Sequence, residues 1–270
     1  MQATLPGLNR TGATASPEGT QAMTDAVNEL MPPVPIDTAA MEAERRLYID
    51  QSDAVGSVPP AQGVGGMVKS GMARLKGANP SVLLDKLGER IAFERSGVRL
   101  YEALLAKYEA ATRRAGEVLP PAGDVQEVAE AQGLAVLAPV QGEAPAETLQ
   151  RIRSEELEHF RLLCEAVTQL GGDPTAQTPC ADVIGTASMG LLQVLTDPRT
   201  TLAQCLNAML TAELTDNAGW ELLIQLAEQA GESELAGSFL GALAQEQEHL
   251  VTIKGWLAAL VSQGAGTPAV

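Results

Sequence analysis

The sequence predicts an all-α protein: a four-helix bundle with one long crossover between its second and third helices, preceded by a largely disordered N-terminal extension. Three observations predict it. Ala and Leu dominate the second half of the chain and aromatic residues make up only 3% of it, a composition that favours helices. From residue 81 onward, apolar residues recur at spacings of three and four in four long stretches, the period of an amphipathic helix. The third and fourth stretches are joined tightly, which makes them antiparallel neighbours, whereas the second and third are separated by about 171–198, long enough to cross the bundle.

In chain order, residues 1–80 read as a flexible extension. Pro and Gly punctuate it ("LMPPVPIDTAA", "GSVPPAQGVGG"), and such a composition cannot bury enough apolar area to offset its ordering entropy. Two amphipathic pieces, Gln21 to Met31 and Ala39 to Gln51, read as short helices, and "MVKSGMARLKG" is a small basic patch. The bundle occupies 81–263. Ser81 stands where a helix cap would, and the first stripe runs Leu84, Leu87, Ile91, Glu94, Val98, Tyr101, Leu105, Tyr108. An insertion at about 115–145 carries "DVQEVAEAQG", a helical turn or two. The second stripe is Leu149, Ile152, Glu156, His159, Leu163, Ala166, Leu170, closed by "GGDP". Within the crossover, "TASMGLLQVL" reads as a short helix. The third stripe is Leu202, Leu206, Met209, Glu213, Asp216, Trp220, Leu223 and ends at Gly231; the fourth is Leu235, Phe239, Ala242, Glu246, His249, Ile253, Trp256, Leu260. Residues 264–270 read as a tail.

Whole-chain properties exclude several classes. A formal net charge of −16 repels nucleic acid and anionic membrane surfaces and attracts cations. No charged leader precedes an apolar core, so no secretory signal is read, and no run of about 18 apolar residues offers a transmembrane helix. The three cysteines, Cys164, Cys180 and Cys205, are odd in number and contain no Cys-x-x-Cys. They argue against a disulfide framework or a cysteine-based metal site and read as reduced thiols of a cytoplasmic protein.

Each stripe is apolar except near its middle, where Glu94, Glu156 with His159, Glu213 with Asp216, and Glu246 with His249 take positions otherwise held by Leu or Val. The chain has two histidines, and each stands three residues after a glutamate. Residues i and i+3 share a helix face about 5 Å apart. Ionised carboxylates are costly to bury unpaired, and a pair of divalent cations solves the problem for all four helices at once. One Glu from each of two helices and Glu-x-x-His from each of the others is the ligand set of di-iron and di-manganese carboxylate bundles. The expected metal ligands are therefore Glu94, Glu156, His159, Glu213, Glu246 and His249. Glu155, Glu158, Glu248 and Glu102 lie off the stripes and read as solvated. Tyr101 and Trp220, each about 10 Å along its helix from the site, read as core packing rather than as redox relays.

With "AFERSGVRLYEALL" carrying Glu94 and Tyr101, and "TAELTDNAGWELL" carrying Glu213 and Trp220, residues 81 to 263 resemble the ferritin-like superfamily, most closely its rubrerythrin and bacterioferritin type. The resemblance implies that Glu156 and Glu246 bridge two metals, that Glu94 and Glu213 are terminal carboxylates, and that His159 and His249 each ligate one metal. It places Asp216 at an offset where an extra acid is either an added ligand or a partner for an imidazole. The cysteine-ligated iron module that rubrerythrins carry for electron delivery has no counterpart here, so the electron donor stays unnamed. The implied cofactor is two iron ions reacting with O2 or H2O2, as in a ferroxidase or peroxidase-like oxidoreductase. A di-manganese catalase-like enzyme, an iron storage or carriage protein acting in an assembly, and a structural bundle without turnover are the alternatives. A homo-oligomer is compatible with each.

Overall fold

A computed structural model describes residues 16–31, 37–55, 80–131 and 142–266. Among these residues there are eight α-helices and no strand. The chain divides into two compact units, 1–54 and 55–270.

The first unit holds α1 (Pro17–Leu30) and α2 (Ala39–Gln51), in line with the two amphipathic pieces. Pro17 starts α1 at a position where its missing N–H costs nothing, and Ser16 Oγ accepts from the Gly19 N–H at 3.3 Å. The basic patch expected at "MVKSGMARLKG" lies outside the described residues.

In the second unit, α3 (Pro80–Ala115), α5 (Pro145–Gln169), α7 (Leu202–Ala230) and α8 (Ser233–Gly266) form the bundle. Every neighbouring pair is antiparallel. At one end Leu83 and Leu87 share a core with Leu163 and Val167, and Leu223 and Ala227 with Leu235 and Phe239. At the other end Leu100 and Leu104 meet Leu149 and Ile152, while Leu206 and Met209 meet Ile253 and Trp256. Thus α5 and α7 run parallel, which requires the chain to travel the length of the bundle between them.

It does so as helix. The crossover is α6 (Pro179–Thr196), 18 residues long and fuller than the short helix expected. It lies parallel to α3. Near its start Thr178 Oγ1 donates to the Asp85 carbonyl at 3.2 Å and the Cys180 N–H to Asp85 Oδ1 at 2.9 Å. Just past its end Lys107 Nζ donates to the Thr200 carbonyl at 3.0 Å. Thr201 and Gln204 then form a capping box on α7. Gly231, with φ 78°, closes α7 in the left-handed conformation that glycine adopts without penalty.

The insertion contains α4 (Ala122–Ala131), which packs on α8. Val125 fills the space left by Gly255, and Trp256 Nε1 donates to the Pro120 carbonyl at 2.9 Å. Helix α8 runs on to Gly266, into the stretch expected as a tail. The buried face of α3 also differs from the predicted stripe. It is Leu83, Leu87, Arg90, Glu94, Gly97, Tyr101, Leu104 and Tyr108, joined by Phe93 and Leu100, whereas Leu84, Ile91, Val98 and Leu105 sit at its half-buried edge. Among the described residues no helix is long and apolar enough to cross a membrane.

Candidate metal centre

Between the two apolar cores lies a belt of buried polar side chains. Helix α3 supplies Arg90, Glu94 and Tyr101; α5, Glu156 and His159; α7, Glu213 and Asp216; α8, Glu246 and His249. None is more than 2% exposed. The helical period puts them at one level, because each stands at mid-length on the face that carries core residues above and below.

Three overlapping groups offer ligand atoms within 4.8 Å of one another: Glu94, His159 and Glu246; Glu156, Glu246 and His249; and Glu94, Glu156, Asp216 and Glu246. Glu246 belongs to all three. Glu213 falls outside them; Tyr101 donates its hydroxyl to Glu213 Oε1 at 2.6 Å and sets its ring edge-on to His249.

The two imidazoles point the same way. Nδ1 of His159 is 2.7 Å from Glu246 Oε1 and 3.9 Å from Glu94 Oε2. Nδ1 of His249 is 3.3 Å from Glu246 Oε2 and 3.5 Å from Glu156 Oε1. Their Nε2 atoms turn away from the cluster, to Gln245 Oε1 at 2.9 Å and to Glu155 Oε2 at 2.8 Å respectively.

These contacts are close but do not satisfy the cluster. Both Nδ1 atoms, both oxygens of Glu246, and one oxygen each of Glu94, Glu156 and Glu213 are buried without a hydrogen bond of acceptable geometry. Leaving so many buried acceptors unmet is expensive. A cation would satisfy them together, and a mixed carboxylate and imidazole set suits divalent transition metals. The residues present fit a metal site.

Electrostatics point the same way. Burial pushes the carboxyls of Glu94 and Glu156 up to about 8, for Glu94 against the pull of Arg90. Glu213 and Asp216 are also raised, by burial first and then by neighbouring carboxylates, Glu246 prominent among them. Burial pushes Glu246 up as well, but the imidazoles beside it, His249 foremost, pull it down to about 2. Burial works against charge on the His159 imidazole, but the close approach and charge of Glu246 hold it up at about 10.

All six expected ligand residues reach the belt. Asp216 does too, but its ion-pair partner is Arg90, which also donates to Glu94 Oε1 at 2.9 Å. The imidazole partners are Gln245 and Glu155. Two acids expected to be solvated are not. Glu155 holds His249, and Glu248 is 6% exposed, accepting from Arg151 Nη2 at 2.6 Å and Gln126 Nε2 at 3.2 Å. For Glu248 the cause is α4, whose Gln126 covers that side of α8, whereas Glu155 is held between Arg151 and His249. Tyr101 and Trp220 are also nearer the chemistry than their positions along the helices suggested. Tyr101 touches Glu213, and the Trp220 ring meets His159 edge-on at 5.4 Å between centroids. Long side chains reach between helices, not only along them. Gly97 gives Glu156 its room: a Cβ there would stand 1.9 Å from Glu156 Oε2. A Cβ on Gly219 would stand 2.6 Å from Arg90 Nη1.

Residues 137–261 match the family model of the ferritin-like domain. That segment covers α5 to α8 and leaves α3, with Arg90, Glu94 and Tyr101, before it. No curated protein and no solved structure matches the chain.

Proposed function

With residues 137–261 forming a ferritin-like domain, we propose that the bundle over 81–263 holds two metal ions, iron in the first instance, and reacts with O2 or H2O2 as a ferroxidase or peroxidase-like oxidoreductase. The observation that carries this reading is the approach of Glu94, Glu156, His159, Glu246 and His249 to one another, with both Nδ1 atoms and four of their carboxylate oxygens buried without a hydrogen bond of acceptable geometry. A bound iron pair would supply redox electrons two at a time to an oxidant.

The chain's own residues have separable roles. Glu246 lies between the imidazoles, with one oxygen toward each, the posture of a bridge. Glu156 approaches the same space from α5. Glu94 and Glu213 close the two ends, each held by a donor from α3: Arg90 for Glu94 and Tyr101 for Glu213. Gln245 and Glu155 fix the imidazole rings so that Nδ1 faces inward. Arg90 neutralises Asp216, so Asp216 acts in this reading through the ion pair rather than as a ligand. Because every ligand residue is at most 2% exposed, a small oxidant suits the site better than a bulky organic substrate. Electrons for repeated turnover come from a separate donor.

The test is anaerobic Fe(II) titration followed by O2 or H2O2. About two irons per chain and a ferric-oxo absorption band are expected. No uptake, or uptake unchanged in the Glu156→Ala, Glu246→Ala double variant, would overturn the proposal.

A further inference from the structure

The bundle has an internal correspondence. Glu155 precedes Glu156 on α5, and Gln245 precedes Glu246 on α8. Each reaches across to the imidazole of the other helix, Glu155 to His249 and Gln245 to His159, at 2.8 and 2.9 Å. The geometry is matched but the chemistry is not. One imidazole leans on a carboxylate and the other on a neutral amide.

The charges behind them widen the difference. Arg151 Nη1 grips both oxygens of Glu155, at 3.0 and 2.9 Å, and the same guanidinium serves Glu143 and Glu248. Three carboxylates share one cation, so the surroundings of His249 are net negative. On the other side, Arg90 is a fixed cation bonded to Glu94 and Asp216. Its charge cancels that of Asp216 and competes for a Glu94 oxygen. Glu213, beside His249, is held only by the neutral Tyr101 hydroxyl.

We infer that the two positions are unequal and fill in order: the one beside His249 takes the first metal ion and the one beside His159 the second, with Glu155 and Gln245 the positioning residues that set the difference. A carboxylate accepting the Nε2 proton makes Nδ1 a stronger donor to a metal, and such partners alter affinity by about 10–100-fold. The inference rests on the proposed two-metal reading but concerns order of loading, not turnover.

The chain's two histidines make the test direct. Zn(II), which has no redox chemistry, is titrated into the metal-free 270-residue chain while the imidazole nitrogen signals are followed by NMR, assigned with His159→Gln. In the unmodified protein the His249 signals change over the first equivalent and those of His159 over the second. Glu155→Gln weakens the first step by about 10–100-fold, so the two histidines respond together. The swap Glu155→Gln, Gln245→Glu reverses the order. Gln245→Glu alone, which leaves the Arg151 cluster intact, tightens the second step and provides a reading should the others fold poorly. Histidines that respond together in the unmodified protein, His159 responding first, or an order unchanged by the swap would overturn the inference. No zinc response at any ratio would overturn it and the metal reading together. Ordered zinc loading in a protein whose Fe(II) form ignores O2 and H2O2 would sustain the inference and defeat the oxidoreductase reading.

Discussion

Two polar clusters lie side by side in this bundle, one half-buried around Arg151 and one fully buried around Glu246, and they are built on opposite principles. Around Arg151, polar groups satisfy one another within the protein: its guanidinium meets Glu143, Glu155 and Glu248, and Gln126 bonds Glu248 and Thr252. Around Glu246, carboxylates and imidazoles crowd together and most of their facing atoms have no partner. Both are polar, and both draw carboxylates from α5 and α8. What separates scaffold from site is the unmet acceptor, because a fold that needs only stability satisfies its buried groups.

The sharpest way to break this contrast is to add and remove metal. A metal at a thousandfold excess over its Kd should stabilise the unmodified protein by about 4 kcal/mol, and the Glu156→Ala, Glu246→Ala variant should lose all of that gain. Thermal melts with and without Zn(II) check it, and an equal rise in the variant would refute it. Next in size, Arg151→Met should cost about 2–3 kcal/mol with or without metal, since it strands carboxylates that are only partly solvated. Urea unfolding measures this, and a cost that vanishes on metal addition would place Arg151 in the inner cluster instead. Glu156→Leu should have the opposite sign in metal-free protein, leaving it unchanged or about 2 kcal/mol more stable, because it removes a buried carboxylate with one oxygen unmet and like charges beside it. The same melts decide.

A separate effect is on pH. Ligation requires Glu94 and Glu156, held up at about 8, and His159, held up at about 10, to give up their protons. Metal binding below those values must therefore release protons, and affinity should rise with pH. Each proton displaced contributes about tenfold per unit, or ~1.4 kcal/mol. Glu246, pulled down to about 2, contributes nothing to this slope near neutrality. Proton release in weakly buffered titrations checks the sign, and affinity that falls with rising pH would contradict it.

Much of this arrangement was legible in the sequence. Periodicity places the four bundle helices, and two Glu-x-x-His pairs on core stripes point to the belt residues. What escaped had physical reasons. The true stripe of α3 passes through Arg90, four residues before Glu94, and a charged residue on an apolar stripe reads as a break in it. Leu83, Leu100 and Leu104 were missed for a related reason: the buried face of α3, packed by α5, α6 and α7, is wider than one stripe. Glu248 looked solvated because nothing in its own helix announces that α4 will cover it, and Glu155 because its partner His249 comes from another helix. One signal was available: Glu155 and Gln245 occupy the same place before the two Glu-x-x-His pairs. The family match, in turn, begins after α3, so Glu94 enters the site on the strength of packing alone.

Gly97 carries a consequence of its own. Glycine within a helix sacrifices about 1 kcal/mol of propensity relative to alanine, and Gly97 lies well inside α3. Its bare backbone is the floor on which Glu156 rests, with clearance for nothing larger than hydrogen. The shape of the site is therefore set partly by an atom that is missing. A single added methyl group, chemically inert and favourable to the helix, would force the Glu156 carboxylate to shift from its present position.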